Sequence, residues 1–218
     1  MTPLLDYLRT HGLELAGVIS TVLGIWLTTQ RRLLCWPVVL VADVIYLEVF
    51  YRARLFSDAL LQALFVVFTL YGWWHWWRGA RDDGEIAVVP LGKRGRIGGL
   101  LAGAAGAVVL AQVMVRVGAA LPWLDATLAS YSLVATWWAA RKHIANWWLW
   151  IAVDVIYVGE YVYKGLQATA VLYAGLVALA ILGVREWRRA AQEAQAQGAG
   201  GSGAGMARSA VEKNRQCL

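Results

Sequence analysis

Long apolar runs recur along the chain between short charged breaks, at approximately 13–29, 34–51, 57–77, 97–118, 125–140, 146–163 and 167–187. Most approach the length needed to cross a hydrocarbon core of about 30 Å. They are continuous, unlike the two-residue alternation of barrel strands. A span in lipid must satisfy its own backbone groups, so the pattern predicts seven transmembrane helices and an all-α integral membrane fold. Residues 78–96, with Arg81, Asp82, Asp83, Lys93, Arg94 and Arg96 around Pro90, form a charged connector. Asp6, Arg9 and His11 in the N-terminal segment 1–12 precede the first run, and no cleavable signal pattern follows. From about Ala190 the sequence turns to Ala, Gln, Gly and Ser, so 190–218 is expected to start as a helix end and continue as a flexible tail.

The runs repeat. Laying residue n on residue n+111 matches Trp36 with Trp147, Asp43-Val44-Ile45-Tyr46 with Asp154-Val155-Ile156-Tyr157, Leu55 with Leu166, Gly72 with Gly183 and Trp76 with Trp187. Arg31 also falls on Lys142. Apolar matches arise by chance in such a composition, but the Trp, Asp, Tyr and basic matches do not. The chain therefore reads as a three-helix bundle (13–77), a linker helix (97–118) and a second three-helix bundle (125–189), a 3+1+3 arrangement. Its parity makes the repeats parallel, related by an axis along the membrane normal, with any substrate near the midplane between them. Gly98, Gly99, Gly103 and Gly106 suit the linker helix for close packing.

Composition agrees, since 60% of the 218 residues are hydrophobic and 16% charged. A compact soluble domain has no means of hiding that much apolar surface. The 13 Trp and nine Tyr suit membrane interfaces and pockets for flat ligands alike. The two cysteines suggest neither a disulfide framework nor a metal cluster, and no cofactor is expected. Arg31, Arg32, Arg78, Arg81, Lys93, Arg94, Arg96, Arg141, Lys142, Arg185, Arg188 and Arg189 fall on one side of the predicted spans; Arg9, Arg52, Arg54, Arg116 and Lys164 fall on the other. That bias places the N-terminus outside and the C-terminus in the cytoplasm. The net charge of +6 is thus explained by topology and anionic lipid, with no nucleic-acid partner implied.

Polar groups inside the spans are the functional candidates, because an ionisable side chain in hydrocarbon needs a partner or a cavity. Trp147, Trp150, Asp154, Tyr157 and Tyr161 share one face of the sixth helix. Trp36, Asp43, Tyr46 and Phe50 form the matching stripe on the second. Asp58, Gln62, Phe65 and Thr69 align on the third helix, and Thr169 and Tyr173 on the seventh. Trp faces, carboxylates and amides suit a flat, cationic or polar ring bearing hydroxyls. Each residue also has a plainer reading. Trp73, Trp74, Trp76 and Trp77 beside Arg78 suit an interfacial belt, and Glu48 or Asp58 can lie near headgroups or pair with Arg52 or Arg54. Asp43 and Asp154 can bond one helix to another, and His75 and His143 read as surface histidines. No Gly-x-Ser-x-Gly or HExxH motif and no deep histidine points to an enzyme. A middle polar band flanked by aromatics favours a carrier over a channel.

The segment from Ser132 to Ala135, then Ala140 through Asn146-Trp147-Trp148-Leu149-Trp150 to Asp154, resembles the NWxxW region of the Pnu-type vitamin transporters, best known as the PnuC-type nicotinamide riboside carriers. Asp58 to Gln62, Tyr71-Gly72-Trp73 with Trp76, Tyr163 to Leu166, Thr169-Ala170 and Arg185-Glu186-Trp187 are similar too, so the resemblance covers roughly 14–189. It implies a SWEET-like fold, a homotrimer in the inner membrane, and facilitated diffusion of a small cationic nucleoside trapped afterwards by phosphorylation. Carried over by position, Asn146, Trp147 and Trp150 contact ring and ribose, with Gln62 and Thr69 as polar partners. Trp36, Asp43, Asp154, Tyr157 and Tyr173 complete the expected site. The family pattern often has Asn where Asp43 and Cys35 stand. Relatives carry thiamine, riboflavin or deoxynucleosides, so these remain alternatives, as does proton coupling through a carboxylate.

Overall fold

In a computed structural model, the backbone is described for residues 3–54, 56–79, 86–116 and 121–215. Seven helices run in order: α1 (Pro3–Thr29), α2 (Cys35–Arg52), α3 (Phe56–Arg78), α4 (Lys93–Arg116), α5 (Pro122–Ala140), α6 (Ala145–Tyr163) and α7 (Gln167–Arg215). Among the described residues there is no strand, only an isolated bridge between Val89 and His143. Leu55 and the connector charges Arg81, Asp82 and Asp83 lie outside the described residues.

Six helices close a ring. α1 packs on α2, α2 on α3, α3 on α5, α5 on α6, α6 on α7, and α7 back on α1. α4 stands outside this ring against α5. The sequence explains that seam, because side chains added at Gly99, Gly103 and Gly106 would collide with Trp138, Tyr131 and Ser130. Ser130 uses the closeness to donate to the Gly103 carbonyl at 2.8 Å. Gly98, expected in the same seam, faces open space.

Helix ends are set by left-handed residues at Arg31, Arg54, Lys142 and Gly165, which fall in pairs 111 positions apart. After α5 the Lys142 N–H bonds the Ala139 carbonyl and the His143 N–H bonds that of Trp138; after α6, Gly165 and Leu166 bond Val162 and Tyr161 likewise. This double bond ends a helix by satisfying its last carbonyls. Only one of the four positions is Gly; the others accept about 1–2 kcal/mol of left-handed strain each.

Two helices run further than the sequence suggests. α1 begins at Pro3, ten residues ahead of the apolar run. α7 continues to Arg215, past the point near Ala190 where a flexible tail is expected. Ala, Gln, Glu and Arg have high helix propensity, and Arg189 pairs with Glu193 at 2.9 Å one turn on. On length and hydropathy alone, α4 and Gln167–Gln197 of α7 qualify as membrane spans among the described residues. Trp, Tyr and buried carboxylates lower the mean hydropathy of other ring helices. Outward-facing positions are nonetheless apolar, with Ile19, Leu101 and Val171 each more than 60% exposed. Polar Asn146, Thr69 and Asp154 are buried inside. That inversion of the soluble pattern matches a bilayer as the surrounding solvent.

Candidate functional site

The ring encloses a cavity of about 280 Å³ to which all six of its helices contribute. The ten residues of the expected site all line it: Trp36, Asp43, Gln62, Thr69, Asn146, Trp147, Trp150, Asp154, Tyr157 and Tyr173. Asp58 and Thr169 do not; Phe65 and Tyr46 do. Phe50 stacks on Tyr46 with centroids 6.0 Å apart, and Glu48 pairs with Arg52 at 2.5 Å.

One end of the cavity is closed by a plate of four indoles. Trp36 meets Trp76 edge-on at 5.3 Å, Trp76 meets Trp187 at 5.9 Å, and Trp187 meets Trp147 edge-on at 5.6 Å. Gly72 and Gly183 make the plate possible, since a methyl group on either would enter the Trp36 or Trp147 ring. Trp76 and Trp187 are fully buried. Each pins the other half of the molecule. Trp76 Nε1 donates to the Ala139 and Ala140 carbonyls, both at 3.1 Å, and Trp187 Nε1 donates to the Thr28 carbonyl at 3.0 Å. Trp76 is thus a core residue, correcting its assignment to an interfacial belt. Its neighbours Trp73, Trp74 and Trp77 are exposed, and Trp74 lies under the Arg78 guanidinium.

The end of the connector lies across the far side of this plate. Ile86 is buried against the tryptophans, with Val88 beside it. Arg31 Nη1 donates to the Ile86 carbonyl at 3.3 Å, and the Val89 N–H donates to the Lys142 carbonyl at 2.9 Å. His143, read from the sequence as a surface histidine, donates from Nδ1 to the Val89 carbonyl at 3.0 Å.

On the cavity side, Asn146 Nδ2 donates to the His143 carbonyl at 2.7 Å, while its Oδ1 is buried without a partner. The Trp36 and Trp147 indole N–H groups are also buried and unpaired. Unmet buried polar atoms are costly, and all three belong to residues that line the cavity. At mid-helix, Asp43 accepts from Gln62 Nε2 at 3.1 Å and from Thr69 Oγ1 at 2.6 Å, joining α2 to α3. Asp154, in the matching place on α6, has no such bond among the described residues, and the Tyr157 and Tyr173 rings, 4.8 Å apart, stand near it.

Sequence reasoning missed the α1 and α5 walls: Thr21, Ile25, Thr28, Ser132, Thr136 and Ala139 also line the cavity. The signal was present, because these residues form three pairs 111 positions apart.

Residues 11–189 match the family described as nicotinamide mononucleotide transporter. The chain belongs to this family. Similar proteins include the riboflavin/roseoflavin transporter RibM of Streptomyces davaonensis, 29% identical over 80% of this chain and 81% of RibM. The nicotinamide riboside transporter PnuC of Escherichia coli is 25% identical over 83% of this chain and 87% of PnuC. The crystal structure of a vitamin B3 transporter PnuC superposes with a TM-score of 0.71 at 18% identity, covering 87% of this chain and 86% of that one, and shares its fold. As a member of the nicotinamide mononucleotide transporter family, the protein is a membrane transporter and not an enzyme.

Proposed function

We propose that the protein takes up nicotinamide riboside, an NAD precursor, across the cell inner membrane by facilitated diffusion. In this reading seven transmembrane helices form a SWEET-like pair of parallel three-helix repeats joined by α4. The basic-residue bias puts the indole plate at the cytoplasmic end, the N-terminus outside and the C-terminus inside. The protein works as a homotrimer with one pathway per protomer.

One observation carries the proposal: a cavity walled by six helices brings stacking faces and residues with unpaired buried polar atoms together with Asp154, a carboxylate that has no hydrogen-bond or ion-pair partner among the described residues. A flat pyridinium bearing a ribose has the complementary groups: a ring for Trp147 and Trp150, acceptors and donors for Asn146, Gln62 and Thr69, and a positive charge for Asp154. Titrating the purified protein with nicotinamide riboside should give saturable binding that Trp147→Ala greatly weakens, with the variant still assembled. Unchanged binding in that variant removes the site from the proposal. In liposomes, uptake should stop at the external concentration, and accumulation driven by an inward proton gradient would replace facilitated diffusion by coupling.

A second reading is favoured by the 29% identity to RibM, whose name gives riboflavin and roseoflavin as cargo. A neutral flavin also stacks on indoles but has no charge to offer Asp154. Stronger binding of riboflavin than of nicotinamide riboside would select it.

A further inference from the structure

We infer that the two matched carboxylates have divided their work: Asp43 is part of the scaffold, and Asp154 selects substrates by positive charge. The inference rests on the cavity being the substrate site, as proposed above.

Both carboxylates are buried at mid-helix on cavity-facing stripes. Their surroundings differ at the two positions that supply hydrogen-bond donors to Asp43. Gln62 and Thr69 give Asp43 one donor for each oxygen, and both come from the adjacent helix α3. The positions 111 further on hold Tyr173 and Ala180. Ala180 has no polar side-chain group. The Tyr173 ring packs against that of Tyr161, with centroids 5.1 Å apart, and makes no hydrogen bond to Asp154 among the described residues. Lys164, the first residue past the end of the helix that carries Asp154, is held there by Glu160. Lys142 lies at the opposite end, its ammonium over the Gly79 backbone. Among the described residues, Asp154 therefore has neither a hydrogen-bond donor nor a cation.

A buried anion in that condition is stabilised by a cation that arrives with the ligand. The tyrosines make the same demand. Tyr157 and Tyr173 line the cavity with centroids 4.8 Å apart, and Tyr161 backs Tyr173 at 5.1 Å. Ring faces grouped beside a carboxylate attract a delocalised cation through their quadrupoles. Asp43, with both oxygens occupied, has much less to offer such a ligand.

The test compares ligands of nearly one shape and different charge. Affinities of the purified protein are measured for nicotinamide riboside, a cation, and for its neutral 1,4-dihydro form. Thiamine against riboflavin provides a second cation-to-neutral pair if the first pair does not bind. Wild type should prefer the cation. Asp154→Asn should cut cation affinity about tenfold or more while moving neutral affinity by less than about threefold. Asp43→Asn should lower thermal stability and affect both ligands together, leaving their ratio in place. An unchanged ratio in Asp154→Asn, or a ratio lost in Asp43→Asn, overturns the inference, as does a wild-type preference for the neutral partner. Binding of the second pair alone, with the cation preferred, defeats the nicotinamide riboside reading and keeps the role of Asp154. Binding of none of the four defeats both.

Discussion

Near the indole plate the two halves of the ring are almost interchangeable, whereas further into the cavity they are not. Trp76 and Trp187, 111 residues apart, reach across to carbonyls of α5 and α1 that are also 111 residues apart, Ala139 and Thr28. Gly72 seats Trp36 as Gly183 seats Trp147. Further into the cavity, lining positions 111 residues apart carry unlike side chains: Val39 and Trp150, Gln62 and Tyr173, Thr69 and Ala180. Closing a ring is a symmetric task that one solution used twice can perform. Holding a ligand that has no two-fold axis is not, so the residues that read it need occur only once.

The largest effect should come from breaking the shared floor. Gly72→Val and Gly183→Val each drive a branched side chain into an indole, and overpacking of this kind costs about 1–3 kcal/mol or more. Both variants should lose transport and melt at lower temperature in detergent, by similar amounts. If one half tolerates the change and the other does not, the plate is not the equivalent structure in both halves that its contacts suggest.

The next effect belongs to the unlike pair at positions 39 and 150. Trp150→Ala should weaken ligand binding about 10- to 100-fold, because stacking on an aromatic side chain is worth about 1–3 kcal/mol. Val39→Ala should change it by less than about threefold. Equal losses measured by titration calorimetry would mean that the ligand uses both halves alike. A smaller, sharper change is Ala180→Thr. It gives Asp154 the hydroxyl that Thr69 gives Asp43, and a hydrogen bond to a charged group is worth about 1.5–3 kcal/mol. Affinity for a cationic ligand should fall about tenfold, while thermal stability stays level or rises.

How far the sequence could be read follows the same division. Asp43, Asp154, Trp36, Trp147 and their stripes were legible because helical spacing places them on one face and the 111-residue offset repeats them. That Asp43 is bonded and Asp154, among the described residues, is not could not be read from the sequence, since it depends on which residues of α3 and α7 come alongside. Trp76 was hidden among three neighbouring tryptophans: spacing shows an aromatic cluster, but only the crossing of α3 with α5 turns one ring inward. Thr21 and Ser132 carry no stripe of aromatics to announce them, although the offset aligns them. Ile86 was masked by its setting, an apolar residue in a connector whose charges drew the reading towards solvent.

The smallest expected effect concerns the end of that connector, which among the described residues packs on the plate from one half alone. It rests on both matched turns, taking a bond from Arg31 through the Ile86 carbonyl and exchanging bonds with Lys142 and His143 through Val89. His143→Ala removes a single hydrogen bond at a partly exposed position, which should cost about 1 kcal/mol. Ligand affinity should stay as it was, because His143 does not line the cavity. Amide exchange at Val89 should quicken roughly fivefold, since loosening the segment also frees the N–H held by the Lys142 carbonyl. The same experiment on Arg31→Ala reads the other attachment. If exchange at Val89 responds to His143→Ala and not to Arg31→Ala, the segment is two independent contacts; if it responds to both, it moves as one strap beneath the tryptophans.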